Sequence, residues 1–221
     1  MKVAIRLLSE LAPDYVLAPE RHVALVQAGD GVALGELVEE RNERIDPGVE
    51  RHAVVLDTSH ARDGLLDVAG ALRDVAGTKS AKKRALPGDL VVSRLRPYLR
   101  QIALIHPHAM AAIAERPLAL STEFYVLSPR GRDDDLAFLL PYLLSPAAQS
   151  LLASAQEGGH HPRVPRTSLL SMRIPRELVA ARTRTSRAVS AALAAFYDAS
   201  LSLRTLLDER EESLQARRIG G

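Results

Sequence analysis

Apolar positions follow two spacings along the chain. Short apolar runs bounded by Gly, Pro, Asp or Ser predict strands at His52–Asp57, Leu90–Val92, Ile102–Ile105, Leu120–Leu127 and Leu169–Pro175. Helical spacing marks Leu34 to Arg41, closed by the turn Asp46-Pro47-Gly48. It returns from Leu136 to Gln156, behind the capping carboxylates of Asp133-Asp134-Asp135 and ahead of Gly158-Gly159. Residues 58–77 hold Gly64, Gly70 and Gly77 without a strong period and predict loops and short strands. The first thirty residues stay ambiguous: Ala4–Leu11 has helical spacing, His22–Val26 suits a strand, and Pro13 and Pro19 lie between them.

The tail differs in kind. From Leu178 to Arg217 there is no Pro or Gly, and Ala, Leu, Arg and Glu dominate, which favours helix. Val189, Leu193, Phe196, Ser200, Leu203, Leu207, Arg210 and Leu214 fall at alternating spacings of four and three, a heptad seam. Forty residues of helix reach about 60 Å. That is too long to pack only on a compact globule, so a partner helix is expected; the competing reading folds the helix back on its own domain.

Charge sharpens the picture. The net charge of +2 conceals an acidic first third, with fourteen acidic against eight basic groups over residues 1–78. Residues 79–100 carry Lys79, Lys82, Lys83, Arg84, Arg94, Arg96 and Arg100 against Asp89 alone. Residues 160–187 carry seven arginines against Glu177. Two basic blocks in a near-neutral chain are the footprint of a nucleic-acid binder, or of a docking surface for an acidic partner. Between the strands Leu90–Val92 and Ile102–Ile105, Pro97 blocks a helix, and Arg94, Arg96, Tyr98 and Arg100 sit on the connection. Arginine forks suit phosphates or a guanine edge, and a phenol ring can pack on sugar or base.

The run GDLVVSRLRPYLRQIALI from Gly88, followed by LSTEFYVLSP at Leu120 to Pro129, resembles the target-recognition domain of type I restriction–modification specificity subunits. The Leu34-Gly35-Glu36-Leu37-Val38 opening, the strand Val54-Val55-Leu56-Asp57, the Gly158-Gly159 turn and the long final helix follow in the same order, so the resemblance covers most of residues 31–216. It implies an α+β fold. A mainly β recognition domain with peripheral helices would occupy residues 1–176, and one long coiled-coil-type helix for dimerisation or partner docking residues 177–221. The resembled subunits carry two recognition domains and two long helices, so this chain would be a half-length form. Expected partners are double-stranded DNA, a methyltransferase subunit and a restriction or translocase subunit. S-adenosylmethionine is expected on the methyltransferase, with no cofactor in this chain, and a homodimer would form through Val189, Leu193, Phe196, Leu203, Leu207 and Leu214. The DNA contacts would come from Lys79, Lys82, Lys83, Arg84, Ser93, Arg94, Arg96, Tyr98, Arg100, His160, His161 and Arg163.

No catalytic constellation is apparent. A Gly-rich phosphate loop, His-Glu-x-x-His and Gly-x-Ser-x-Gly are all missing. Glu123 reads as a structural glutamate rather than a nuclease carboxylate. His106-Pro107-His108 lacks a neighbouring carboxylate or cysteine in sequence to complete a metal site. There is no cysteine, and no apolar run approaches the roughly 20 residues that span a bilayer. A cytoplasmic, non-enzymatic specificity subunit is the expectation. The alternative is a coiled-coil adaptor of a defence complex that binds protein rather than DNA.

Overall fold

The computed structural model describes residues 31–73, 82–131, 135–158 and 162–219, the last nine of these as backbone helix only. The segments Ala4–Leu11 and His22–Val26 lie outside the described residues, as do Lys79, His160 and His161 and the side chain of Leu214.

β1 (Gly31–Ala33) leads into one helical turn, α1 (Leu34–Leu37), and then into β2 (Val38–Glu40). The helix expected from Leu34 to Arg41 is therefore half strand. An antiparallel ladder sets Val38, Glu39 and Glu40 against Pro129, Ser128 and Leu127, and tertiary pairing overrides a weak local helical preference. After β3 (Arg44–Ile45) comes the expected turn, in which the Gly48 amide donates to Asp46 Oδ1 at 2.8 Å. β4 (Val54–Leu56) follows. Residues 58–73 then form a 3-10 turn at Thr58–His60, the small ribbon β5 (Ala61–Arg62) and β6 (Leu65–Leu66), and α2 (Val68–Arg73), a helix that the glycines obscure.

The basic segment up to Arg84, read from the sequence as a loop, contains β7 (Lys82–Ala85). β8 (Leu90–Ser93) and β9 (Ile102–Leu104) form the expected hairpin around a 3-10 turn at Pro97–Leu99, with Val92 opposite Ile102. α3 (Pro107–Ala111) comes next. The single strand expected at Leu120–Leu127 is two, β10 (Leu118–Leu120) and β11 (Phe124–Pro129), because the chain crosses between sheets at Ser121–Glu123. One sheet runs β3-β7-β10-β4 and the other β2-β11-β8-β9. Leu56, Leu118 and Leu120 of the first and Val91, Phe124 and Val126 of the second belong to one hydrophobic core.

Asp135 caps the next segment, accepting from the Ala137 amide at 2.8 Å. A 3-10 stretch at Leu136–Leu139, α4 (Leu140–Leu143) and α5 (Pro146–Ser154) follow. Among the described residues no single helix is long and apolar enough to cross a membrane; the bent pair Leu136–Leu143 and Pro146–Ser154 is apolar where it lines the core. α6 (Arg166–Leu170) takes the first two residues of the strand expected at Leu169–Pro175, and its last three form β12 (Arg173–Pro175), paired with β1. The tail is α7 (Arg176–Ala180), a break at Ala181, and α8 (Arg182–Ile219). The architecture is thus α+β with a long C-terminal helix.

The first half of α8 packs on its own domain. Ser186 Oγ accepts from the Phe138 amide at 3.1 Å and donates to the Asp135 carbonyl at 3.0 Å. Tyr197 Oη accepts from the Leu66 amide at 2.8 Å, and its ring stacks on His106 with centroids 6.0 Å apart. His108 Nδ1 lies 2.7 Å from Asp198 Oδ1. Leu193 is 7% exposed and Val189 is half-buried against the core, so both belong to the domain rather than to an outward seam. Phe196, Leu203 and Leu207 are 47%, 58% and 59% exposed. The heptad pattern therefore merges two faces, one intramolecular and one open.

Candidate nucleic-acid interface

The hairpin turn begins at a buried carboxylate. Gly88 takes φ +92°, and Asp89, 1% exposed, accepts from the Leu86 amide at 2.8 Å. Arg41 reaches back to the same carboxylate through Nε at 2.8 Å and Nη2 at 3.1 Å. The Asp89 hydrogen bond holds the Arg41 pKa above its ordinary value against the effect of burial. The Gly-Asp pair thus fixes the entry to β8.

At the exit of β8 three distant segments are stitched together. Ser93 Oγ closes on the Leu95 amide and carbonyl at 3.1 Å each, so it serves the turn. The Arg94 amide donates to the Glu123 carbonyl at 2.8 Å, and its carbonyl accepts from the Val164 amide at 2.9 Å. Leu95 and Glu157 each form an antiparallel bridge with Arg163. His160 and His161, which follow Glu157 and precede Arg163 in the sequence, lie outside the described residues.

Cations gather around one ring on this patch. The Arg94 guanidinium sits 5.4 Å from the Tyr125 centroid and Lys83 Nζ 5.6 Å from it. Tyr125 Oη donates to the Val164 carbonyl at 2.8 Å. Burial raises the Tyr125 pKa and outweighs the opposing effect of Arg94, so the phenol stays neutral. Lys83 donates to Glu40 Oε1 at 3.0 Å and to the Phe124 carbonyl at 2.8 Å. Arg166 Nε holds the other Glu40 oxygen at 2.6 Å. Arg163 grips Glu123 with two hydrogen bonds, 2.9 and 2.6 Å. Lys83, Arg94, Arg163 and Arg166 thus lie with Glu40, Glu123 and Glu157, and the patch is net positive. Arg94 Nε is buried without a hydrogen bond among the described residues.

The remaining basic residues are placed elsewhere. Lys82, like Lys83, is only 8% exposed, because their segment is a strand inside a sheet. Alternation along β7 sends Arg84 away from Lys83, to Glu43 at 2.6 Å and Glu50 at 2.5 Å. Arg100 turns from the patch to pair with Asp63 and to donate to the Leu144 carbonyl at 2.6 Å. Arg96 and Tyr98 remain exposed on the turn, Tyr98 at 69%. Three residues of this region hold left-handed backbone: Asp63 (φ 51°), Arg96 (φ 44°) and Arg100 (φ 53°). Such conformations cost about 1 kcal/mol or more each and persist where surroundings enforce them.

Sequence reasoning missed Tyr125, Glu40 and Arg166. Arg166 lies within the second basic block, and Tyr125 within the STEFYVL strand; nothing in the sequence marks Glu40. His106 Nδ1 accepts from the His108 amide at 3.3 Å, which engages that nitrogen within the protein. Among the described residues no three potential metal ligands converge.

The class defined by fold and patch is an α+β domain with a long C-terminal helix and a basic surface at one hairpin. No known family profile matches the sequence, and no curated protein does. Solved structures do share similarity. One belongs to a study of complex assembly and conformational transition of the type I R-M system, at 21% identity and TM-score 0.47, covering 84% of this chain and 47% of that one. Another is the crystal structure of the HsdS subunit from Thermoanaerobacter tengcongensis, at 22% identity and TM-score 0.47, covering 82% of this chain and 45% of that one. This chain spans less than half the length of either.

Proposed function

We propose that this protein binds duplex DNA sequence-specifically, as a half-length specificity subunit that directs a separate adenine methyltransferase, and a restriction or translocase subunit with it. The observation that carries the reading is the patch where Arg94 and Lys83 lie over Tyr125 and where Arg163 and Arg166 hold Glu123 and Glu40, with positive charge in excess of its carboxylates. Guanidinium groups in excess of the neighbouring carboxylates favour an anionic partner, and the phosphate backbone supplies one. Arg96 and Tyr98 stand exposed beside it. The linked motifs from Gly88 to Pro129 support the same reading. Catalysis and S-adenosylmethionine are assigned to the methyltransferase, and the open face of α8 to a second copy of this chain.

Fluorescence anisotropy with labelled duplexes across a salt series tests the proposal. Binding should weaken steeply with salt, and Arg94→Ala or Arg166→Ala should weaken all sequences while reducing the log–log salt slope by about one. Failure of the parent protein to bind any duplex at low salt would overturn it.

A further inference from the structure

Among the described aromatic residues, Phe124, Tyr125, Phe138 and Tyr197 are buried, Phe196 on α8 is 47% exposed, and Tyr98 is 69% exposed. Its support is unusually fixed. The turn is closed by the Leu99 amide donating to the Arg96 carbonyl at 2.9 Å and the Arg100 amide to the Pro97 carbonyl at 2.8 Å. Pro97 is buried, and the residues on either side of the turn, Arg96 and Arg100, both hold left-handed backbone. Arg100 is bolted to Asp63 and to the Leu144 carbonyl, and the Asp63 amide returns a hydrogen bond to the Arg100 carbonyl at 3.0 Å. Two of the left-handed residues, Asp63 and Arg100, thus brace each other beneath the exposed Tyr98 ring.

We infer that the Arg96–Pro97–Tyr98 tip is the base-contacting element of this protein, with Tyr98 packing its ring on a base edge or a sugar in the groove, while the Arg94–Arg166 patch holds phosphates. This rests on the DNA-binding reading above. Phosphate contacts fix position but carry no sequence information, so a specific reader needs a further group aimed at the bases. A ring with two rotatable bonds on a rigid turn loses little freedom on contact, and apolar contact with a thymine methyl distinguishes bases in the major groove. Arg96, exposed beside it, carries the fork that reads a guanine edge. The bridge from Leu95 to Arg163 sets the tip at the rim of the basic patch. Strain held at an exposed tip, rather than relieved by glycine, fits a preorganised contact.

The test selects duplexes from a random pool with the full chain, then measures anisotropy on the selected and a scrambled duplex at one salt concentration. Tyr98→Ala should lose about tenfold in preference for the selected duplex. Its affinity for the scrambled duplex, its salt slope and its melting temperature should match the parent, and Tyr98→Phe should retain the preference. A Tyr98→Ala protein that keeps the parent's preference overturns this assignment and leaves DNA binding standing. A parent that binds all duplexes equally overturns it too, and a parent that binds none overturns both readings.

Discussion

Arg163 and Glu123 form a two-pronged ion pair, Nε to Oε2 at 2.9 Å and Nη2 to Oε1 at 2.6 Å, joining the corner between the two sheets to the segment after Gly158. The pairing raises the Arg163 pKa, chiefly through the side-chain hydrogen bonds. Both side chains are partly exposed, at 39% and 26%. Glu123 therefore acts on the patch in two ways: it holds the 157–163 segment in place and offsets one positive charge.

Glu123→Gln removes the charge and keeps an acceptor for Arg163. For a DNA-binding patch, affinity for duplexes of any sequence should rise roughly two- to fivefold at moderate salt. The salt dependence should steepen by about one unit, because one more guanidinium becomes available to phosphate. Anisotropy at four or five salt concentrations reads both quantities. Weaker binding by a variant that melts like the parent would mean that the carboxylate orders the contact surface rather than tempering its charge.

The hairpin was readable because its signals are local: Pro87-Gly88 makes the turn, and Leu90–Val92 and Ile102–Leu104 are compact apolar runs. Glu123, read as a structural glutamate within a strand, sits instead at the corner between β10 and β11, where it holds Arg163. The role of β7 was not readable. Lys82-Lys83-Arg84 looks like a solvated loop, and only Glu40, Phe124 and Tyr125, brought in from other strands, make a buried lysine tolerable there. The long helix misled in a different way. Its apolar residues fit one heptad seam on paper, yet the buried face runs through Ser186, Leu193 and Tyr197, where backbone groups of the domain accept and donate hydrogen bonds. A polar residue on a docking face carries no hydrophobic signal.

The docking of α8 should depend on pH. His106 is buried between His108 and Tyr197, and its pKa is lowered from 6.5, by burial first and by His108 second, with Asp135 and Asp198 opposing. A histidine whose folded pKa lies below its unfolded value binds fewer protons when folded. Its neutral form therefore contributes fully above the unfolded pKa, and stability falls as pH drops through about 6.5 toward the lower folded value. The melting temperature should decline across that window, and His106→Gln should flatten the decline. An equal slope in the variant would assign the effect to other groups.

The open half of α8 should hold two copies together. From Phe196 to Ile219 about 36 Å of helix remains, and Phe196, Leu203, Leu206 and Leu207 are roughly half exposed or more. Apolar side chains repeated along one helix are rarely left to water, and in most homo-oligomers the same patch serves both subunits about a two-fold axis. An antiparallel pair would keep the two basic patches at opposite ends, where their charges repel least, and would let two recognition domains read two half-sites at a fixed spacing. Val189 and Leu193 already serve the domain core, so the pairing seam is confined to the residues beyond them. Leu203→Glu with Leu207→Glu places carboxylates in that seam without touching the intramolecular face at Leu193 and Tyr197. Light scattering at micromolar concentration should show a dimer for the parent and a monomer for the double variant, with the domain's thermal transition retained. A parent that is monomeric under these conditions would mean that the exposed leucines wait for a different chain, and the methyltransferase subunit is then the partner to test against the same double variant.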